Sequence, residues 1–195
     1  MHPDLAGQVV LITGATGGLG ETVTRGFLEA GATVGGVARS WAGKDKPRGF
    51  LPLEADLTQP DAAQRVVGSL VESAVAFFVF RAGLAHMVST GKGRIIAIGS
   101  RAGVDQGPNL SAYNVSKAGM HALVRTAAAE VKDSAITVNA VLPSTIDTAV
   151  NRAAMPAADF SKWVTPESIT ASLRWLASDA SKDVNGALIQ IYGRA

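Results

Sequence analysis

Apolar residues in this chain fall into short runs and longer periodic stretches, and the two kinds alternate. The run Val9-Val10-Leu11-Ile12, within Gln8 to Thr13, has no internal polar alternation, which predicts a strand buried on both faces. It ends in glycines. From Gly18 to Ala30, Leu19, Val23, Phe27 and Leu28 recur at helical spacing, and Gly31 stands where a helix stops. Ala32 to Ala38 predicts a second strand, Arg39 to Gly49 a polar turn region, and Phe50 towards Asp56 a short third strand. Thr58 has the position of a helix N-cap, with Pro60 in the first turn and Asp61 as capping partner, for a helix reaching about Glu72. Arg94 to Ile98 predicts a buried strand between glycines, Ser111 to Val131 a long helix, and Ala135 to Leu142 a strand ended by Pro143. Thr165 and Pro166 open a last helix to about Ser178, and Ala187 to Tyr192 a last strand. On the long helix, Val115, Ala118, Gly119, Ala122, Leu123 and Thr126 form a small-residue face suited to close packing. Strands alternating with helices predict an α/β fold with a parallel, doubly wound sheet.

Composition narrows the function classes. With 195 residues, 47% hydrophobic and 17% charged, the chain can bury a full core, and one domain over residues 1–195 is expected. Cysteine is absent, so disulfides, thiolate metal sites and thiol nucleophiles are excluded. Catalysis must use hydroxyls, amines, carboxylates or a cofactor. A net charge of +2 gives little support to nucleic-acid binding. No apolar stretch reaches the roughly 18 residues of a membrane span, and the N-terminus lacks a basic stretch followed by an apolar run. A cytoplasmic protein without membrane partner is expected. His2, His86 and His121 lack metal-ligand spacing and read as structural or exposed, so no metal is expected. Trp41, Trp163 and Trp175 read as packing residues.

The turn Thr13-Gly14-Ala15-Thr16-Gly17-Gly18-Leu19-Gly20 follows a strand and opens a helix, the context of a dinucleotide-binding turn. Glycines admit a tight turn and a close approach to pyrophosphate, while free amides at the helix start complement its charge. The plainer alternative is a helix packed closely on a strand.

The pattern T-G-x-x-x-G-x-G at Thr13, Gly14, Gly18 and Gly20 resembles the short-chain dehydrogenase/reductase family, and the resemblance covers most of the chain. It implies a Rossmann-type three-layer αβα fold, with Gly14, Thr16, Gly18, Leu19 and Gly20 against the cofactor. Asp56-Leu57 matches the acidic position that holds the adenine ring. Ser100, Tyr113 and Lys117 match the family's serine and Y-x-x-x-K pair, in the family's order. Asn139, Val141 and Pro143 match the strand leading to the nicotinamide-side loop, which puts Ile146 and Thr148 among the cofactor-binding residues. A homodimer or homotetramer through the long helix is also implied.

The chemistry can be argued physically. Tyr113 and Lys117 lie four apart on a predicted helix and so share a face. A free phenol, with a pKa of about 10, is a poor acid at neutral pH, and an ammonium beside it stabilises the phenolate. Tyr113 then becomes a proton donor to a carbonyl oxygen that receives hydride at carbon. Ser100, at a strand end, has the place to hold that oxygen. An ordinary surface tyrosine with a solvated lysine is the bland alternative; Asn114 and Ser116 read as helix-surface residues. At the end of the second strand, where users of NAD commonly carry an acid, stands Arg39, which can pair with a 2′-phosphate; this favours NADP(H) over NAD(H).

The stretch Leu142 to Thr148, followed by Asn151-Arg152, Met155-Pro156, Asp159-Phe160 and Trp163, is similar to dihydropteridine reductases within the same superfamily. Those enzymes generally lack the serine and prefer NADH, so Ser100 and Arg39 favour an ordinary carbonyl substrate over a pterin. Trp163 falls where relatives carry a substrate-covering segment.

One departure stands out. Where the family has a helix, a fourth strand with its turn, and a second helix bearing an asparagine, this chain has only Asp61 to Thr90, and the missing piece begins near residues 72–74. That fourth strand is central in the family sheet, and its loss would part its neighbours to roughly 10 Å. Three accounts remain: Ala74 to Phe80 serves as the central strand, the sheet closes with the first strand against the fifth, or the chain is an excised form. The expected function is an NADPH-dependent reduction of a carbonyl; the alternative is a nucleotide-binding but catalytically impaired regulatory protein.

Overall fold

A computed structural model describes residues 4–44, 47, 49–54 and 68–194. In chain order the elements are β1 (Val9–Thr13), α1 (Gly18–Glu29), β2 (Thr33–Ala38), β3 (Phe50–Glu54), α2 (Gly68–Thr90), β4 (Lys92–Ile98), α3 (Ser111–Glu130), β5 (Ala135–Pro143), α4 (Ala149–Ala154), α5 (Pro166–Ala177) and β6 (Leu188–Ile191). All strand pairing is parallel among the described residues, in two three-stranded sheets of order β1-β2-β3 and β4-β5-β6. The chain is thus α/β, as its alternation of short apolar runs and periodic stretches predicts.

The described elements form two compact units. One holds β1, α1, β2 and β3 together with Thr145–Ser178, which contributes α4 and α5. Its register runs from Val9 opposite Thr33 to Thr13 opposite Val37, and from Val34 opposite Phe50 to Ala38 opposite Glu54. Helix α1 buries Val23 and Phe27 and gives way to Gly31 at φ +88°, the predicted stop. Thr165 caps α5 by accepting from the Ser168 amide at 3.2 Å, ahead of Pro166. Trp41 is buried edge-on to Phe50, centroids 4.9 Å apart, and donates through Nε1 to the Leu53 carbonyl.

The reading of β1 as buried on both faces is corrected here. Val10 and Ile12 are half-buried, whereas Val9 and Leu11 are 83% and 59% exposed. Apolar runs report which residues favour a strand, not how many layers cover it. Of the tryptophans, Trp163 packs on Phe160, but Trp175 stands partly exposed rather than packed.

The second unit holds β4, β5 and β6 with α2 and α3. Its core joins Val138, Ala140 and Leu142 of β5 to Met120, Val124, Ala127 and Ala128 of α3 and Phe80 of α2. The buried face of α3 is therefore not the predicted one: Val115, Gly119, Ala122 and Thr126 are exposed, and only Ala118 and Leu123 are half-buried. Two stripes of this helix satisfy helical spacing, and the one with Met120 and Val124 offers the larger apolar area. Asn114 and Ser116, expected on the surface, are buried. Asn114 donates to the Gly107 carbonyl at 3.1 Å, and Ser116 to the Tyr113 carbonyl at 2.9 Å.

Ala74 to Phe80 is helical, not a strand. Helix α2 runs without a break through residues 72–74, rich in Ala, Phe and Leu and free of any internal turn signal. Among the described residues no strand lies between β3 and β4, and β1 pairs with β2 alone, so the closing of the first strand on the fifth is not found either. The predicted helix start at Thr58, Pro60 and Asp61 lies outside the described residues.

Candidate active site

The glycine turn is built by two local requirements. Gly14 takes φ +68°, a conformation that favours glycine, and no atom stands within 4 Å of where its Cβ would be. Gly20 is required by packing, since a Cβ there would fall 2.1 Å from the Gly14 carbonyl oxygen. Between them Gly17, at the N-cap of α1, offers no side chain to cap the first-turn amides. A glycine-lined helix start fits a pyrophosphate. Thr16 and Leu19, half-buried, complete the turn.

The same unit brings the loop after β5 to this turn. The place of a Cβ on Gly18 is 3.7 Å from Cβ and Cγ2 of Thr148, which joins two predicted cofactor residues 130 positions apart in the chain. Thr148 also caps α4, accepting from the Asn151 amide, and Ile146 is fixed by a bridge to Val164 and by accepting from Asn151 Nδ2 at 2.8 Å. Asp147 pairs with Arg152 through two bonds of 2.5 and 2.7 Å, and this bonding holds its carboxyl below the usual range. Arg39 is exposed at the end of β2, while Lys44 beyond it pairs with Glu21 of α1. Asp56 and Leu57 lie outside the described residues.

Ser100, Tyr113 and Lys117 belong to the second unit. Ser100, two residues past the end of β4 and extended, caps a single 3₁₀ turn, Arg101–Gly103, its Oγ accepting from the Ala102 amide at 3.2 Å. Tyr113 lies in the first turn of α3, 37% exposed, and the Lys117 ammonium sits 5.4 Å from its ring centroid. That distance is within cation–π range. The spacing of four thus puts both side chains on one face of α3, as predicted. Asn139 is fully buried and clamps β5 to the turn that precedes β6, donating to the Val184 carbonyl and accepting from the Ala187 amide.

His121, read from the sequence as structural or exposed, is placed at the Ser100 segment. It is buried, and its Nε2 accepts from the Ser100 amide at 3.4 Å. Burial first, then the charges of Arg125 and Lys117, push its pKa below the ordinary histidine value. The signal that could have found it is its spacing, four residues beyond Lys117. Nearby, Arg101 pairs with Asp105 and lies 5.0 Å from the ring centroid of Tyr192, whose phenol is pushed upward by burial and by Asp105. Among the described residues no cluster of His, Asp and Glu could hold a metal, and no helix is long and apolar enough to cross a membrane.

Comparison with known proteins agrees with this geometry. The family model described as short chain dehydrogenase matches residues 71–159. Cis-4-hydroxycyclohexanecarboxylate dehydrogenase of Sinomonas cyclohexanicum is 30% identical, covering 99% of this chain and 98% of the relative. That alignment runs over 248 positions, so a stretch of the relative has no counterpart in these 195 residues. L-rhamnose 1-dehydrogenase (NAD(P)(+)) of Sphingomonas sp. (strain SKA58) is 25% identical over 97% of this chain and 96% of its own length. Among solved structures, a putative NAD(P) dependent gluconate 5-dehydrogenase from Beutenbergia cavernae, with bound NADP, matches with a TM-score of 0.84 at 25% identity over 97% of each chain. A 3-ketoacyl-(acyl-carrier-protein) reductase from Brucella melitensis, in complex with NADH, shares the Rossmann-like fold at TM-score 0.82 and 21% identity, over 97% of this chain and 98% of that one. The chain belongs to the short chain dehydrogenase family and is an NAD(P)-dependent oxidoreductase.

Proposed function

We propose that this protein reduces a small carbonyl compound with NADPH, Tyr113 giving the proton. The observation that carries the reading is the Lys117 ammonium set over the Tyr113 ring, in the same unit as a Ser100 hydroxyl whose lone pair is already engaged. The Lys117 ammonium would stand close to the negative charge that Tyr113 acquires as it gives its proton. Ser100 Oγ, accepting from the Ala102 amide, keeps its own hydrogen for the carbonyl oxygen and polarises it. Gly14, Thr16, Gly18, Leu19 and Gly20, with Ile146, Thr148, Asp56, Leu57 and the Lys117 ammonium, would hold the dinucleotide. When bound, the cofactor supplies the hydride.

Arg39 carries the preference for NADPH, because its exposed guanidinium can pair with a 2′-phosphate where an acid would repel it. The presence of both Ser100 and Arg39 in the sequence also favours an ordinary ketone over a pterin, despite the dihydropteridine-reductase-like stretch from Leu142. The whole chain, 1–195, is read as one cytoplasmic nucleotide-binding domain that assembles as a homodimer or homotetramer. The exposed stripe Val115, Gly119, Ala122 and Thr126 on α3 supports that assembly.

The test follows absorbance at the nicotinamide band with NADPH and a panel of ketones, after NADPH binding has been measured separately. Turnover that Tyr113→Phe abolishes supports the reading. Tight NADPH binding without turnover on any carbonyl overturns it.

A further inference from the structure

Tyr113, Lys117, His121 and Arg125 follow one another at intervals of four on α3 and so form one stripe. The first two are assigned to proton transfer above; the third reaches the segment that carries Ser100. His121 is 5% exposed, and its ring occupies the space that side chains on two glycines would fill. A Cβ on Gly99 would lie 2.6 Å from Nε2, and one on Gly103 2.5 Å from Cε1. These glycines flank Ser100 and its 3₁₀ turn, so the turn is wrapped on the imidazole.

Contact alone would make His121 a packing residue. The hydrogen bond makes it more, because the Ser100 amide donates to Nε2 at 3.4 Å while Ser100 Oγ accepts from the Ala102 amide. Ser100 is thus held at both its backbone nitrogen and its side-chain oxygen. An imidazole nitrogen that accepts carries no hydrogen, so this contact requires the neutral ring with its proton on Nδ1. Lys117 and Arg125 on α3 disfavour a third positive charge between them. Of the elements packed against α3, the 3₁₀ turn carries Arg101, paired with Asp105, α2 carries Arg81 and His86, both exposed, among its described side chains, and β5 has no ionisable side chain.

We propose that His121 is a positioning residue, whose ring between Gly99 and Gly103 fixes the turn after β4 and thereby aims the Ser100 hydroxyl at the substrate oxygen. This inference rests on the reductase reading above and names a further residue of the same site.

The experiment uses the full chain labelled with ¹⁵N. In the wild type, the Ser100 amide resonance is expected to titrate with the same midpoint as the His121 ring nitrogens, since protonating Nε2 breaks the bond. In His121→Leu that titration vanishes and kcat falls on the order of 10- to 100-fold, with NADPH affinity unchanged. His121→Gln, which restores an acceptor oxygen, is expected to recover most of kcat. A Ser100 amide indifferent to His121 protonation overturns the proposal, as does a wild-type kcat in His121→Leu. The wild-type titration needs no variant and decides the case even if the leucine variant fails to fold. Should the wild type turn over no carbonyl, the reductase reading falls, while the amide titration still decides whether His121 holds Ser100.

Discussion

The two three-stranded sheets have the same parallel hydrogen bonding and opposite fortunes in burial. In β5, every residue from Ile136 to Pro143 is buried, with α2 and α3 contributing to the surrounding core. In β1 the residues alternate, and Val9, Leu11 and, on β3, Leu51 stand open on one face among the described residues. Backbone pairing therefore sets a strand locally, while burial depends on helices encoded elsewhere in the chain. The contrast extends to chemistry. Ser100, Tyr113 and Lys117 stand on the closely packed unit, which suits groups that must hold position, whereas the glycine turn works through backbone amides and needs only an open approach.

The comparison is sharpened most strongly by Tyr113→Phe, which removes the hydroxyl proposed as proton donor and leaves the other unit untouched. Expected is a loss of kcat of about 10²- to 10⁴-fold with NADPH affinity unchanged, read by steady-state kinetics and direct cofactor titration. Next comes packing. Leu142→Ala, at a fully buried position of β5, is expected to cost about 2–5 kcal/mol in denaturant unfolding. Leu11→Ala, at an open position of β1, should stay within about 0.5 kcal/mol of wild type. Equal losses at the two sites would erase the distinction between the sheets.

Smaller effects follow in the first unit. Arg39→Ala should lower the preference for NADPH over NADH by roughly 10- to 100-fold, the worth of one charge-assisted bond of about 1.5–3 kcal/mol, measured as the ratio of kcat/KM for the two cofactors. An unchanged ratio would remove Arg39 from cofactor choice. Smallest is the Asp147–Arg152 pair, which is exposed and screened. The folded Asp147 carboxyl titrates below its ordinary value, so the pair's contribution is present above the ordinary carboxylate range and is lost as pH falls through the folded pKa. Asp147→Asn should therefore lower Tm slightly at neutral pH and not at all at strongly acidic pH, as read by thermal scans across pH.

Much of this was legible in the sequence. The turn from Thr13 to Gly20, the spacing of Tyr113 and Lys117 and the strand-end place of Ser100 carry local geometry with them, and the structure has them as expected. Less legible was whatever depends on distant partners. The open face of Val9 and Leu11 could not be read, because a short apolar run is the same whether one layer or two will cover it. The same ambiguity made Ala74 to Phe80 a candidate strand, although helix-forming residues surround it. On α3, two stripes compete at one periodicity, and only the tertiary core chooses Met120 and Val124 over Val115 and Ala122. His121 and Asn114 were hidden because a buried polar residue looks like a surface one until its partner, the Ser100 amide or the Gly107 carbonyl, is brought to it.

The unbroken course of α2 also fixes its phase. Ala76, Phe80, Leu84 and Met87 all turn towards the same core, one face of a single rigid screw. Each residue added between Phe80 and Leu84 would rotate Ala76 and Phe80 against Leu84 and Met87 by about 100°, so a single insertion would carry one pair out of alignment with the core, while three or four would nearly restore it. Chain length at this junction is therefore counted in whole turns: the helix admits changes in size only in steps that return it to the same bearing.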